Sequence, residues 1–165
     1  IGPAGITLVI VRQELVERAP KSLPAILQYR TFSKNNSLYN TPSTFTIYMV
    51  GLVLNWIEQQ GGLAGMEAHN QHKANLLYRA IDATDFYSCP VAKEDRSLMN
   101  VIIRVNNGDE ALEKKFVAEA EAAGLSTLKG HRSVGGLRAS IYNAMPVEGV
   151  QALVNFMQDF EARYG

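Results

Sequence analysis

The sequence predicts an α/β protein. A small sheet backed by helices fills the second half, and a buried-type strand and long helices precede it. Three observations carry this. Residues 6–11 read Ile-Thr-Leu-Val-Ile-Val, a nearly unbroken β-branched and aliphatic run. Met99, Val101, Ile103 and Val105 alternate with other residues, as do Leu137, Ala139 and Ile141, which is the period of a strand with one face inward. Leu112, Phe116, Ala120 and Ala123, then Val150, Leu153, Val154, Met157 and Phe160, recur at helical spacing. Strands alternating with such helices give a sheet covered by helices.

Composition narrows the functions. Lysine plus arginine and aspartate plus glutamate each number 16 in 165 residues, so the formal charge is zero. A general affinity for nucleic acid or a membrane surface needs a basic excess, so neither is expected. Cys89 is the only cysteine, which excludes an intramolecular disulfide and fits a reducing compartment. No apolar run nears the ~20 residues of a membrane span. The opening Ile1-Gly2-Pro3-Ala4-Gly5 lacks an initiator methionine and a signal-peptide pattern, so the chain reads as part of something longer.

In order, the strand at 6–11 leads to a short helix through Glu14, Leu15 and Val16, stopped by Pro20. From Pro24 to Asn40 the sequence reads as irregular, with an exposed turn at Lys34-Asn35-Asn36-Ser37. Thr41 as N-cap and Pro42 as first helical residue then open a helix running to about Gln60 and stopped by Gly61-Gly62. Phe45, Tyr48, Met49, Leu52, Val53 and Trp56 share one side, but Ile47, Val50 and Leu54 make it apolar nearly all round. Such a helix is covered on several sides, here by a partner subunit or further chain. Its N-terminus is an anion site or simply a capped end.

A second long helix covers 63–83, with Leu63, Met66, Asn70, Lys73, Ala74, Leu77 and Ile81 near one stripe. His69 and His72 sit three apart on it, but no third ligand completes a metal set, and solvent exposure accounts for them. A strand follows at 86–88 and another at 99–105. Asp109 caps a helix ended by Gly124, a strand at 125–128 follows, and Pro146 starts the last helix.

The stretch from Leu128 to Asn143 concentrates chemistry. Lys129-Gly130-His131-Arg132-Ser133-Val134-Gly135-Gly136 is a cationic, glycine-rich loop. In the strand that follows, Leu137, Ala139 and Ile141 face the core, so Arg138, Ser140 and Tyr142 face the other way. Arginine's planar fork suits carboxylate or phosphate, and glycines admit a ligand close to the backbone. One reading is a pocket for a small molecule with more than one anionic group. The other is a solvated basic loop whose arginine pairs with a local carboxylate. No nucleophile-plus-base set accompanies it, so the chain is either a binder or part of an enzyme whose reactive group lies elsewhere.

Several motifs bear on that choice. They are Ile1-Gly2-Pro3-Ala4-Gly5, Tyr39-Asn40-Thr41-Pro42, Arg96-Ser97 through Asn100, Gly124-Leu125, Lys129-Gly130-His131-Arg132, and Gly135-Gly136-Leu137-Arg138-Ala139-Ser140-Ile141-Tyr142-Asn143-Ala144-Met145-Pro146. With them the chain resembles, end to end, the C-terminal half of the phosphoserine aminotransferase family, class-V aminotransferases of pyridoxal-phosphate fold type I. The resemblance implies the C-terminal part of the aspartate-aminotransferase-like fold. Residues 1–69 would be the remnant of the large cofactor-binding domain with the interface helix, and 70–165 the small α/β domain.

It also implies a cytoplasmic homodimer that uses pyridoxal 5'-phosphate. That enzyme exchanges an amino group between glutamate and 3-phosphohydroxypyruvate, giving phosphoserine and 2-oxoglutarate. In many bacteria it also acts in pyridoxal-phosphate synthesis. Arg138 would grip the substrate α-carboxylate, His131 and Arg132 the substrate phosphate, and Asn40 and Thr41 the cofactor phosphate of the neighbouring subunit. No catalytic residue would lie in these residues, because the family's Schiff-base lysine stands just upstream of the position of Ile1, in the missing N-terminal half. Ser43 stands where the family often has a second proline. The alternative is a non-catalytic α/β module that binds a phosphorylated amino or keto acid or serves only as an interaction domain.

Overall fold

The computed structural model describes residues 2–165, so Ile1, the first residue of the opening motif, lies outside the described residues. The chain forms two compact units, one ending at Gln60 and the other spanning Gly61–Gly165.

In the first unit, α1 (Gln13–Arg18) and α2 (Tyr29–Lys34) lie side by side, and α3 (Thr44–Gln59) follows. The strand expected at 6–11 is not formed. The segment makes no ladder, and Leu8, Val9 and Ile10 are exposed. A strand exists only through hydrogen bonds to a neighbour, so β propensity without a neighbour leaves extended chain. The stretch from 24 to 40 is more ordered than expected, with a 3-10 turn at Ala25–Leu27 before α2. Its order comes from side chains: Arg30 Nη2 donates to the carbonyls of Glu17 at 2.9 Å and Ala19 at 2.8 Å, closing the end of α1. Six-residue helices are too short to show a period in sequence.

The helix expected from Pro42 starts later. Ser43 is its N-cap and Thr44 its first residue. Serine is as good an N-cap as threonine, so local preference does not separate the two registers. The helix ends near Gln60, where Gly61 turns the chain with φ +90°.

The second unit carries the larger core. It comprises α4 (Gly62–Asp82), β1 (Tyr87–Ser88), β2 (Asn100–Val105), α5 (Glu110–Ala122), β3 (Leu137–Ser140) and α6 (Val147–Tyr164). The sheet is antiparallel in the order β1-β2-β3, with Tyr87 opposite Val105 and Ile102 opposite Arg138. Alternation sets its inner face: Val101, Ile103, Val105, Leu137 and Ala139 are buried, together with Ile141 just past β3. Ala74, Leu77 and Ile81 of α4 and Val150, Leu153 and Met157 of α6 join them in one cluster. Phe116 of α5 and Phe160 of α6 are fully buried, and their rings meet at 5.0 Å. Each such ring stabilises by roughly 1.5–3 kcal/mol through burial alone. Asp109 caps α5 as expected, its carboxylate accepting the amides of Ala111 at 2.8 Å and Leu112 at 3.1 Å.

One expected strand of this unit is missing. Residues 125–128 hydrogen-bond to β3 only through the Leu128 carbonyl, which accepts the Arg138 amide at 2.7 Å, and the next residue, Lys129, bridges Leu137. Thr127 takes φ +62°, which breaks an extended run before a ladder can propagate.

Candidate functional site

The cationic loop is a closed turn at the head of β3. The Gly130 amide donates to the Gly136 carbonyl at 2.9 Å, and the amides of Val134 and Gly135 donate to the His131 carbonyl at 3.0 and 2.8 Å. A Cβ on Gly130 would collide with the carbonyl oxygens of Gly135 and Gly136, so only glycine lets the loop close. His131 and Arg132 sit exposed on this turn. The Ser133 amide donates to His131 Nδ1 at 3.3 Å, and Ser133 Oγ lies 2.6 Å from the same nitrogen. Nδ1 is thus an acceptor, which in the neutral ring puts the proton on Nε2 and makes that nitrogen a donor.

Arg138 lies on the outer face of β3, between buried Leu137 and Ala139, as the alternation requires. Among the described residues no carboxylate lies within 4.0 Å of Lys129, His131, Arg132 or Arg138. The Arg138 Nε is buried and has no hydrogen-bond partner. The reading in which this arginine pairs with a local carboxylate is therefore excluded among the described residues. A loop and strand whose basic side chains have no carboxylate beside them among the described residues could take an anion. Beside Arg138, Asn100 Oδ1 accepts long hydrogen bonds from Ser140 Oγ at 3.4 Å and Tyr142 Oη at 3.3 Å, which leaves polar groups along the same face.

Two residues that support this face were not singled out from the sequence. Lys73 of α4 is wholly buried, and its Nζ donates to the carbonyls of Ile141 (3.2 Å), Tyr142 (2.6 Å) and Met145 (3.1 Å). Burial lowers its pKa from the usual lysine value. Asn70, one turn earlier, donates to Asn143 Oδ1 at 2.8 Å. Together they fix the chain leaving β3 from behind. The signal was a cation and an amide on an otherwise apolar helical stripe. Arg96-Ser97 holds structure in the same unit: Arg96 pairs with Asp82 through Nη1 and Nη2 at 2.7 and 2.8 Å, and Ser97 Oγ accepts the amides of Met99 and Asn100.

Asn40 and Thr41 belong to the other unit, in exposed chain just before α3. Asn40 Nδ2 makes only a long contact of 3.3 Å with the Thr41 carbonyl. The Ser43 cap supplies no side-chain hydrogen bond, and the first turn holds no acidic residue. The first amides of this 16-residue helix are thus unsatisfied by side chains, and the donor set fits a phosphate group. His69 and His72 lie on α4, one half-buried and one exposed.

The family model described as Aminotransferase class-V matches residues 1–153. The chain belongs to the class-V aminotransferase family. The chain also matches solved structures over 90–98% of its length. One is a phosphoserine aminotransferase in which radiation damage of the Schiff base was followed, at 44% identity and TM-score 0.93, covering 98% of this chain and 45% of that one. Another is the phosphoserine aminotransferase of Bacillus circulans subsp. alkalophilus, at 54% identity and TM-score 0.89, covering 94% and 43%. A third is the pyridoxal-phosphate-bound enzyme of Trichomonas vaginalis, at 43% identity and TM-score 0.83, covering 90% and 42%. The chain thus spans somewhat less than half the length of these structures, and its fold is that of their C-terminal part, within fold type I. No described helix is long and apolar enough to cross a membrane.

Proposed function

We propose that these residues are the substrate-binding C-terminal part of a phosphoserine aminotransferase. The whole protein transfers an amino group between glutamate and 3-phosphohydroxypyruvate, giving phosphoserine and 2-oxoglutarate in serine biosynthesis, with a second role in pyridoxal-phosphate synthesis. Residues 1–69 belong to its large domain and 70–165 form its small domain. It works as a homodimer in the cytoplasm. The observation that carries the reading is the set of donors on one loop and strand, His131, Arg132 and Arg138, that meet no carboxylate among the described residues. Identities of 43–54% to phosphoserine aminotransferases stand beside it.

The substrates carry two anionic groups, and the site offers two kinds of receptor. Arg138 holds the α-carboxylate with its fork. His131, through Nε2–H, and Arg132 hold the phosphate. Asn40, Thr41 and the first amides of α3 hold the cofactor phosphate for the neighbouring subunit. When bound, pyridoxal phosphate supplies the aldehyde that takes up the amino group and the ring that accepts electrons. By the resemblance to the family, the lysine that anchors the cofactor would lie in the rest of the protein; Lys73, the buried lysine of these residues, is committed to three backbone carbonyls. No observation favours a non-catalytic module.

The test separates the two receptors in the full-length holoenzyme. Arg132→Ala weakens the phosphoserine half-reaction roughly tenfold to a hundredfold, the value of a lost charge-assisted contact of about 1.5–3 kcal/mol, and weakens the glutamate half-reaction much less. Arg138→Lys weakens both alike, because both amino acids carry the α-carboxylate and lysine cannot bind it bidentately. Equal losses from Arg132→Ala in both half-reactions would make the loop a general cation patch.

A further inference from the structure

We propose that Arg104 is a positioning residue that sets the substrate-phosphate loop, so that the protein's affinity for phosphorylated substrate depends on a side chain that does not touch it. The inference rests on the reading of His131 and Arg132 as phosphate ligands. Arg104 stands on the outer face of β2, one residue before the buried Val105. Its Nη1 donates to the Val134 carbonyl at 3.2 Å, inside the turn that carries His131 and Arg132. Its Nη2 reaches the Gly108 carbonyl at 3.4 Å. On the other side its Nε lies 2.7 Å from Glu113 Oε1 of α5, and that carboxylate is nearly buried, at 7% side-chain exposure. The same carboxylate oxygen accepts the Val105 amide at 3.4 Å. One guanidinium therefore ties the loop to the strand and to the helix behind it.

The glycines around it are shaped to this side chain. Gly136 takes φ +69°, and a Cβ there would come within 2.9 Å of both Arg104 Cδ and the Ile103 carbonyl. A Cβ on Gly108 would meet Arg104 Nη2 at 2.6 Å. The two glycines thus leave the channel through which the arginine reaches Val134. Its charge is paired with Glu113 at 2.7 Å, a charge contact in which Nε makes no hydrogen bond, whereas among the described residues no carboxylate lies within 4.0 Å of Arg132. Arg104 is thereby spent on structure and Arg132 is left for a ligand. A lysine replaces it only in part, because its compact ammonium lacks the extended planar fork that reaches Glu113 from one edge and the Val134 carbonyl from another.

The experiment uses the full-length holoenzyme and follows KM and kcat in each half-reaction, inhibition by inorganic phosphate, and thermal midpoint. Arg104→Met is expected to raise KM for phosphoserine and the inhibition constant of phosphate by about tenfold, with kcat held within about threefold and the glutamate half-reaction within about twofold. Arg104→Lys, which keeps the charge and guards against a folding failure of the methionine variant, is expected to recover less than half of that loss on a logarithmic scale. Full recovery by lysine would mean that charge alone acts there, and wild-type phosphate affinity in Arg104→Met would mean that the loop needs no clamp. Either result overturns the proposal. Arg132→Ala in parallel marks the other failure. If it too leaves phosphate affinity unchanged, the loop is not the phosphate site and both readings fall. If only Arg132→Ala acts, the site stands without the clamp.

Discussion

Cations in this chain divide by what they face. Arg96, Arg104 and Arg163 each lie 2.7 Å from a carboxylate oxygen, and Lys73 is ringed by carbonyls, whereas Arg132 and Arg138 meet no acid among the described residues. Lys73 allows a sharp test. Lys73→Met would leave the carbonyls of Ile141, Tyr142 and Met145 without their donor, offset in part by removing a buried charge. The expected net loss is about 2 kcal/mol of stability, read as a lower urea midpoint. The pH dependence has a definite sign. Burial lowers the folded-state pKa of this amine from 10.5, so between the lowered value and 10.5 the unfolded chain binds more protons. Stability from this group therefore rises with pH across that window, and the methionine variant loses that rise. Tyr87 acts in the opposite direction, but only above pH 10, where its buried hydroxyl resists ionisation. Measurements from pH 7 to 10 isolate the lysine. An unchanged midpoint at pH 7 would show that the three carbonyls do not need it.

At the scale of elements, the sheet depends on what joins it to α4. The bidentate pair of Arg96 with Asp82 ties the end of α4 to the turn before β2, and the Arg96 guanidinium also lies over the Tyr78 ring at 4.7 Å. Hydrogen bonding from Arg96 holds the Asp82 carboxyl below its usual 3.8. A carboxyl with a depressed folded pKa stabilises fully above its unfolded value and loses that contribution as pH falls through the folded one. Asp82→Asn is expected to cost about 1 kcal/mol near neutrality, because Asp82 is partly open to water. The gap from wild type should narrow below pH 4 as the wild-type carboxyl takes up its proton. Denaturant titrations at pH 6 and pH 3 read it directly. A gap of the same size at both values would assign the loss to something other than the ion pair.

At the scale of the molecule, α3 presents more apolar surface than its own unit covers. Phe45 and Tyr48 are more than 60% exposed, and Ile47, Leu52 and Leu54 more than 40%. A patch of that kind is one that a partner subunit or further chain would cover. With Asn40 and Thr41 at the head of the same helix, the proposed dimer would complete each active site with residues of both subunits. Mixing a variant lacking the reactive lysine with an Asn40→Ala/Thr41→Ala variant then restores activity. In random hybrids one working site in a mixed dimer gives roughly a quarter of wild-type activity. No recovery in dimers verified by mass would place the cofactor phosphate within a single subunit.

Much of this was legible in sequence because it is periodic or local. Alternation from Val101 to Val105 and from Leu137 to Ile141 assigns inner and outer faces, and it places Arg138 on the outer face from sequence alone. Asp109 and Gly61 marked a helix start and a helix end by chemistry confined to one turn. The sequence by itself determined the fold class, the family and the loop that gathers the cations. Tertiary structure alone decided which cations are free. Arg104 meets a carboxylate because the fold brings Glu113, nine residues on, within 2.7 Å, and spacing does not report such distances. It also decided that Thr127 interrupts a strand, because a ladder needs a permitted φ, while residues 6–11 find no neighbouring strand among the residues present here. Lys73 shows the same limit from the other side: its place on an apolar stripe was visible, but the three carbonyls that justify burying it come from residues 68 to 72 positions away.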